Sequence, residues 1–244
     1  NKFFSFWDSG FSGGFGGGYS IRPHLGPTGA RAGFSNPEYM TVSVDDQGNS
    51  LYAYVNEGSG AVTASYLPAG ATFFSMIQSI GTTVPYNAGR TVDVHLTKNG
   101  LGVIIWLDNT GRPNVAFRGT GDTAQFDLAN KSTLDSSPSS SAGNVFVARD
   151  TNGGAFAWWR RDNQNKQAYF NPATSTFDVQ NFDLVVPIGP PPTAGKINSG
   201  SVLSLELNKN SSGDVAIGYA IYTSQQGISI QPFNSISIVY AYRK

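Results

Sequence analysis

Two acids and a histidine are the residues best suited to acid–base chemistry in this sequence. Asp93 and His95 lie two positions apart in an alternating segment, and Glu206 lies in a similar segment near the other end of the chain. If both segments are strands whose inward positions meet, these side chains converge in one channel, with Arg149 as a neighbouring cation. Cleavage of a glycosidic bond needs two carboxyl groups about 5 to 9 Å apart. Asp93 and Glu206 are therefore the candidate catalytic pair, supported by His95, if the protein is a glycoside hydrolase.

A second set of residues suits binding rather than catalysis. Large aromatic residues recur at one position of a repeated pattern, and an acid or an arginine follows most of them within a few residues. Aromatic faces can stack on sugar rings, and Asp, Glu and Arg side chains can hydrogen-bond to hydroxyl groups. Packing between sheets and ordinary turn chemistry are the competing explanations. The candidate ligand-binding residues are Trp7, Asp8, Tyr54, Glu57, Trp106, Asp108, Arg112, Trp158, Arg160 and Asp162.

Other motifs indicate neither a metal nor a cofactor. Residues 10–14 match the Gly-x-Ser-x-Gly nucleophile motif, but that motif requires a following helix, and none is predicted. The histidines, His24 and His95, are too few and too far apart for an imidazole-rich metal site. Residues 45–49 are shorter than a twelve-residue calcium loop and lack its distal Glu. We therefore expect neither a metal nor a cofactor.

The elements that position these residues follow from an internal repeat. One pattern occurs four times: an alternating apolar strand, a turn with glycine, a second apolar strand that ends on an aromatic residue, and a third short strand. The turn glycines lie 52, 53 and 60 residues apart, at Gly48, Gly100, Gly153 and Gly213. Six positions before them lie Val42, Val94, Val147 and Leu207, and six positions after them lie Tyr54, Trp106, Trp159 and Tyr219. This period suits a propeller blade.

Alternation and apolar content predict where each strand lies. The first strands alternate apolar and polar residues, as in Val42 and Val44 against Thr41 and Ser43, and are predicted to be half-buried. The second strands are apolar on both faces and are predicted to lie mid-sheet. Trp158 breaks the repeat and must point away from Trp159, so one of the two should face a loop or a partner.

The two ends of the chain supply a fifth unit. Residues 3–7 resemble a second strand without its first, and residues 236–242 resemble a first strand with nothing after it. Pairing these segments predicts an all-β, five-bladed β-propeller closed by its N- and C-terminal strands. A β-sandwich or jelly roll is the alternative. The proline-rich segment 186–200 is predicted to be a connector, and residues 73–80 a short helix or an outer strand.

Composition limits the function further. All-β proteins of this length commonly form one unit, so residues 1–244 are predicted to be a single domain. Sixteen basic and sixteen acidic residues cancel, and without a basic patch nucleic-acid binding is not expected. No apolar run is long enough to span a membrane as a helix. The cysteine-free, weakly charged and aromatic-rich sequence favours a secreted or cell-surface protein.

The turns carry a family resemblance. The sequences Asp45-Asp46-Gln47-Gly48-Asn49 and Asp150-Thr151-Asn152-Gly153 resemble bacterial propeller repeats, and the five-fold count is similar to that of tachylectin-type lectins. The resemblance covers nearly the whole chain as architecture, and it implies a small secreted propeller that binds or cleaves glycans. The Gly-Gly-Trp and Asn-Trp sugar-binding motifs of that family have no match here, so no binding residue is carried over.

Three functions remain after these exclusions. The leading hypothesis is a non-enzymatic binding module, lectin-like or protein-binding, because the candidate binding groups recur without a catalytic constellation. The second is a structural subunit of an envelope, phage or viral surface assembly, consistent with an oligomer. The third is a glycoside hydrolase that uses Asp93 and Glu206.

Overall fold

A computed structural model describes residues 40–55, 59–83, 91–138, 143–161, 164–181, 184–187, 194–197 and 202–221. Within these ranges the chain forms strands and no helix. The predicted pairing of residues 3–7 with residues 236–242 lies outside the described residues, so ring closure stays a prediction. The all-β class is confirmed.

The described ranges contain sixteen strands, which follow one another in chain order. The first sheet contains β1 (Met40–Val44), β2 (Ser50–Val55), β3 (Ala61–Leu67) and β4 (Met76–Thr82). The second contains β5 (Val92–Leu96), β6 (Gly102–Leu107), β7 (Pro113–Arg118) and β8 (Ser132–Thr133). The third contains β9 (Gly143–Arg149), β10 (Ala155–Arg161), β11 (Gln164–Asn171) and β12 (Thr176–Asn181). Two hairpins complete the set: β13 (Leu184–Pro187) with β14 (Ala194–Ile197), and β15 (Val202–Lys209) with β16 (Val215–Ile221).

Each four-stranded sheet is an antiparallel meander in which every strand pairs with the next one along the chain. The first strands of consecutive sheets lie side by side, β1 beside β5 and β5 beside β9. Separate meanders whose first strands line a common centre are the arrangement of a β-propeller, whereas strands in a sandwich are shared between two sheets. The propeller prediction is therefore supported over the sandwich alternative.

The turns after the first strands share one construction. Each begins with a residue whose side chain caps the turn and ends with a glycine at positive φ, between 82° and 95°. In the first, the Asp45 Oδ1 accepts hydrogen bonds from the amides of Gln47 and Asn49, both at 2.9 Å. Glycine is favoured because an L side chain is strained in this region of φ. The capping residues are Asp45, Thr97, Asp150 and Asn210.

Two apolar clusters hold consecutive sheets together. One lies between the first and second sheets and includes Trp106, and the other lies between the second and third and includes Trp159. All six residues of β6 are buried, as predicted for a mid-sheet strand that packs on both faces. Burial of apolar surface of this kind is the main stabilising contribution to a fold.

The structure corrects three expectations. β1 is half-buried as predicted, but its polar residues Thr41 and Ser43 are the buried ones, while the apolar Val42 and Val44 are 47% and 53% exposed. In contrast, β5 is buried at every position rather than half-buried. Both differences arise because the two faces of a propeller sheet meet two different neighbouring sheets, which alternation alone does not identify.

The third correction concerns the proline-rich segment 186–200, which is not only a connector. Strand β13 overlaps the start of this segment and pairs with β14 inside it, from Leu184 opposite Ile197 to Pro187 opposite Ala194. Pro187 ends its strand, where a missing amide proton interrupts at most the last position of the ladder. For residues 73–80 the outer-strand alternative is confirmed, because β4 begins at Met76.

Candidate functional site

The centre of the sheet array is held by Asp93, whose side chain on β5 is completely buried. Its Oδ1 accepts a hydrogen bond from the Thr41 hydroxyl of β1 at 2.9 Å. Its Oδ2 accepts one from the Val147 amide of β9 at 2.9 Å and pairs with the Lys209 ammonium of β15 at 2.5 Å. Lys209 also donates to the Val147 carbonyl oxygen at 2.7 Å. One carboxylate therefore joins the first strands of all four repeats.

His95 makes a second set of bridges from the same strand. Its Nδ1 accepts a hydrogen bond from the Arg149 amide at 2.8 Å, so the proton of the neutral ring lies on Nε2. That nitrogen donates to the Asn210 carbonyl oxygen at 2.8 Å. Burial, and then the positive charge of Lys209, lower the pKa of His95 to about 4. The imidazole is therefore neutral at neutral pH, and both of its nitrogens are engaged.

An equivalent of the hydrogen bond between His95 and the Arg149 amide connects the first and second sheets. The Ser43 hydroxyl oxygen accepts a hydrogen bond from the Leu96 amide at 2.9 Å. Ser43 and His95 both lie five positions before their turn glycine, and their donors both lie four positions before the next one. A polar side chain at this position thus bonds the backbone of the following first strand.

Arg149, expected near the same channel, is bound to the neighbouring sheet. Its Nη1 donates to the carbonyl oxygens of Gly102 at 2.6 Å and Arg118 at 2.8 Å, and its guanidinium lies 4.7 Å from the Phe117 ring centre. Burial lowers the pKa of Arg149 to about 10, which leaves it charged at neutral pH. Its contacts are those of a packing group.

These contacts bear on the predicted catalytic pair. Asp93 has no exposed surface and is ion-paired. Glu206 takes the same position before its turn glycine as Asp93 does, and its backbone pairs with Gly218 in the last hairpin. General acid–base chemistry requires a carboxyl group that a substrate can approach. As it stands, Asp93 does not meet that requirement.

A cavity of about 370 Å³ lies beside this polar centre. It extends from the exposed valines of β1 to the turn between β15 and β16. The turn also contacts the first repeat, because the Ser211 hydroxyl donates to the Asp46 carboxylate at 2.6 Å. The lining residues are Thr41, Val42, Ser43, Val44, Asp46, His95, Phe146, Lys209, Asn210 and Ser211.

The charged candidate binding residues of the second sheet, Asp108 and Arg112, lie at its opposite end, on the turn between β6 and β7. Asp108 caps this turn through its Oδ1, which accepts hydrogen bonds from the amides of Thr110 at 2.9 Å and Arg112 at 3.0 Å. Burial acts to raise the pKa of Asp108, but the hydrogen bonds from Thr110, Arg112 and Asn114 outweigh it and lower the pKa below its usual value. Asp108 is therefore an ionised turn cap.

The aromatic residues of this set lie in the interior. Trp106 and Trp159 are 2% and 0% exposed and belong to the clusters between sheets, and Tyr54 is 7% exposed. Trp158 is also buried, at 4%, opposite Phe146 on the other face of its sheet. Both tryptophans of the pair are thus covered, whereas we expected one to face a loop or a partner.

The charged residues of the set remain near the surface. Arg160 is exposed, and the neighbouring Arg161 pairs with Asp135 of the second sheet at 2.7 Å. Arg112 is half-buried, and its Nε is buried without a hydrogen-bond partner. Trp7, Asp8, Glu57 and Asp162 lie outside the described residues.

Sequence reasoning missed three members of the polar centre, Thr41, Ser43 and Lys209. A usable signal was present for Lys209, which lies four positions before its turn glycine, as Arg149 does. Among the described residues, no cluster of three acids or histidines suits a metal ion, and no helix is long and apolar enough to cross a membrane.

Comparisons with known proteins identify no family. No family model matches the sequence, and no curated protein matches it. The fold is similar to a fucose-specific lectin from Aleuria aurantia, at 12% identity and a TM-score of 0.43, over 79% of this chain and 60% of the lectin. It is also similar to hydrazine synthase from Kuenenia stuttgartiensis, at 10% identity and a TM-score of 0.43, over 78% of this chain and 46% of that one. An exo-β-1,3-galactanase from Clostridium thermocellum matches at 12% identity and a TM-score of 0.39, over 75% and 41%.

The chain spans less than two thirds of the length of each of these proteins. The resemblance to a β-propeller lectin is one of architecture. It identifies neither a ligand nor a reaction.

Proposed function

We propose that this protein is a non-enzymatic binding module that recognises carbohydrate through the end of the sheet array that carries the β6–β7 turn and the last residues of β10. The contrast between the two ends supports this function. The groups best suited to catalysis, Asp93 and His95, are buried, and both accept hydrogen bonds from backbone amides of β9. At the other end, the Arg112 amide donates to the turn cap Asp108, and the Arg112 side chain is only half-buried.

Arg112 is the observation that carries the proposal. It forms no ion pair within the described ranges, and its buried Nε has no partner. The Arg112 side chain is half-buried, so a ligand can approach the exposed part of its guanidinium. The planar fork of arginine suits paired hydroxyl or carboxylate oxygens.

The experiment is a glycan-array screen of the full chain, followed by calorimetry with the best glycan. We expect Arg112→Ala to weaken binding by about 10-fold or more, as for the loss of a charged hydrogen bond. Arg112→Lys keeps the charge but loses the fork, so it should also weaken binding. Lys98→Ala removes an exposed cation from the opposite end and is the matched control.

Two outcomes would contradict carbohydrate binding at this end. One is an array on which no glycan is bound at high protein concentration. The other is an equal glycan affinity for wild type and Arg112→Ala. If the wild type instead captures a protein and Arg112→Ala does not, the ligand of this surface is a protein and not a glycan.

The enzymatic alternative has to be tested with a variant other than Asp93→Asn. Asp93→Asn breaks an ion pair inside the fold, so lost activity in that variant does not identify a catalytic acid. We therefore test Glu206→Gln, with the appearance of new reducing ends from glycans as the signal. If the wild type cleaves glycans and a folded Glu206→Gln variant does not, the protein is a glycosidase and the binding proposal is wrong.

A further inference from the structure

Two of the turns after the first strands carry the dipeptide Asn-Gly at the same place. Asn99 and Gly100 lie in the turn between β5 and β6, and Asn152 and Gly153 lie in the turn between β9 and β10. The glycines have similar φ angles, 82° and 95°, and both asparagines are exposed. The two sites therefore share their local sequence, their backbone and their access to water.

This dipeptide can undergo deamidation without an enzyme. The backbone nitrogen of the glycine loses its proton to water and forms a bond to the asparagine Cγ, and the bond from Cγ to Nδ2 breaks, so Nδ2 leaves as ammonia. Glycine permits the attack because it has no Cβ to obstruct the approach to its nitrogen. Water then opens the five-membered succinimide ring to aspartate or to isoaspartate. The reaction needs a side-chain amide and a glycine nitrogen that are free to approach each other.

At the first site the reacting groups are held apart by hydrogen bonds. The Asn99 Oδ1 accepts one from the Thr97 hydroxyl at 2.5 Å, and the Asn99 Nδ2 donates to the Thr151 carbonyl oxygen of the next repeat at 2.9 Å. The Gly100 nitrogen donates to the Thr97 carbonyl oxygen at 2.9 Å. Attack on Asn99 therefore requires three hydrogen bonds to be broken, one of them between repeats.

At the second site the same groups are less restrained. Within the described residues, the Asn152 side-chain amide makes no hydrogen bond. The Gly153 nitrogen donates to the Asp150 carbonyl oxygen at 3.2 Å, which is at the long end of the range for such a bond. Both differences between the two sites favour reaction at Asn152.

We infer that Asn152-Gly153 is a site of spontaneous deamidation, and that Asn99-Gly100 is protected by its hydrogen bond to the third repeat. The modification adds a carboxylate to an end of the array that already carries Asp46 and Asp150. Isoaspartate also inserts the Cβ into the backbone of the turn, which changes the spacing that lets the Asp150 Oδ1 accept the amide of Gly154 at 2.9 Å.

Mass spectrometry of the full chain, incubated at pH 8 and digested with trypsin afterwards, tests the inference. Lys98 and Arg149 precede the two turns, so trypsin places Asn99 and Asn152 in separate peptides. We expect Asn152 in the folded protein to be converted to the acid at least about 10-fold faster than Asn99, because the Asn99 side chain must first lose two hydrogen bonds. In guanidinium chloride the two rates should become similar, because the unfolded chain has no contact between repeats.

The product and one variant check the route. Isoaspartate should accompany aspartate in the modified peptide, since both arise from one ring, and Asn152→Gln should prevent the conversion because its longer side chain must close a larger ring. Equal rates at the two sites in the folded protein overturn the inference, as does a folded protein that converts neither site. A difference that persists in guanidinium chloride also overturns it, because neighbouring residues and not the fold would then set the rates. Aspartate without isoaspartate overturns the succinimide route.

Discussion

A carboxylate on an inner strand of a propeller can act as a catalytic acid or can hold neighbouring sheets together. The contacts of Asp93 are those of the second role. Its three donors come from three other first strands, and the Lys209 ammonium balances its charge. Burying an ion pair is costly, and removing one partner of such a pair costs about 3 to 5 kcal/mol. Asp93 therefore fixes how the sheets meet, in the position where a glycosidase would place an acid.

His95 makes the stability of the protein depend on pH. Its ordinary pKa is 6.5, and its pKa in the folded chain is about 4, so on acidification the unfolded state takes up the proton first. Stability is unaffected by this group above pH 6.5 and is lost as the pH falls from 6.5 to about 4. The loss should reach about 3 kcal/mol.

Urea unfolding at pH 7, 5.5 and 4 measures this effect, with His95→Asn as the comparison. Asn keeps an acceptor for the Arg149 amide but does not titrate. The variant should be less stable at pH 7 and should lose less stability on acidification. Equal losses in both proteins contradict the assignment.

At the scale of elements, the turns after the first strands transmit contacts between repeats. Gly213 lies against the third repeat: a Cβ added there would be 2.6 Å from the Asp150 Cα, and closer still to the Arg149 carbonyl oxygen. Its φ of 91° also disfavours any other residue. The turn between β15 and β16 can approach the polar centre only because it has no side chain at this position.

Gly213→Ala should therefore destabilise the protein more than backbone strain alone predicts. Gly70 has a similar φ of 76° with nothing within 4 Å of an added Cβ, so Gly70→Ala is the matched control. We expect about 1 to 2 kcal/mol for Gly70→Ala. Gly213→Ala should cost at least about 2 kcal/mol more, since the backbone must move. Equal shifts in the urea midpoint would show that the turn and the third repeat are not in contact.

Local sequence patterns predicted the strands and turns better than they predicted which distant residues contact one another. The four turns could be found from sequence because a left-handed glycine and a capping side chain are local requirements, and they gave the correct spacing of β1, β5, β9 and β15. The bond from Lys209 to Asp93 joins residues 116 positions apart, and no local rule specifies it. The burial of Thr41 rather than Val42 likewise depends on which sheet lies on each side.

For the whole molecule, the sequence predicts that the ring depends on its C-terminal end. Deletion of residues 237–244 should remove the predicted pairing with residues 3–7 that closes the array, and with it the burial of apolar side chains that this pairing would provide. Exposing several aliphatic side chains at about 1.5 to 3 kcal/mol each would cost more than about 3 kcal/mol. Tryptophan fluorescence in urea measures the midpoint, and hydrogen exchange at the β5 amides shows whether the centre opens as well. Replacing the same eight residues with a Gly-Ser segment preserves the length but not the strand, so it should be as harmful as the deletion. An unchanged midpoint in both variants would mean that the described sheets are stable without closure.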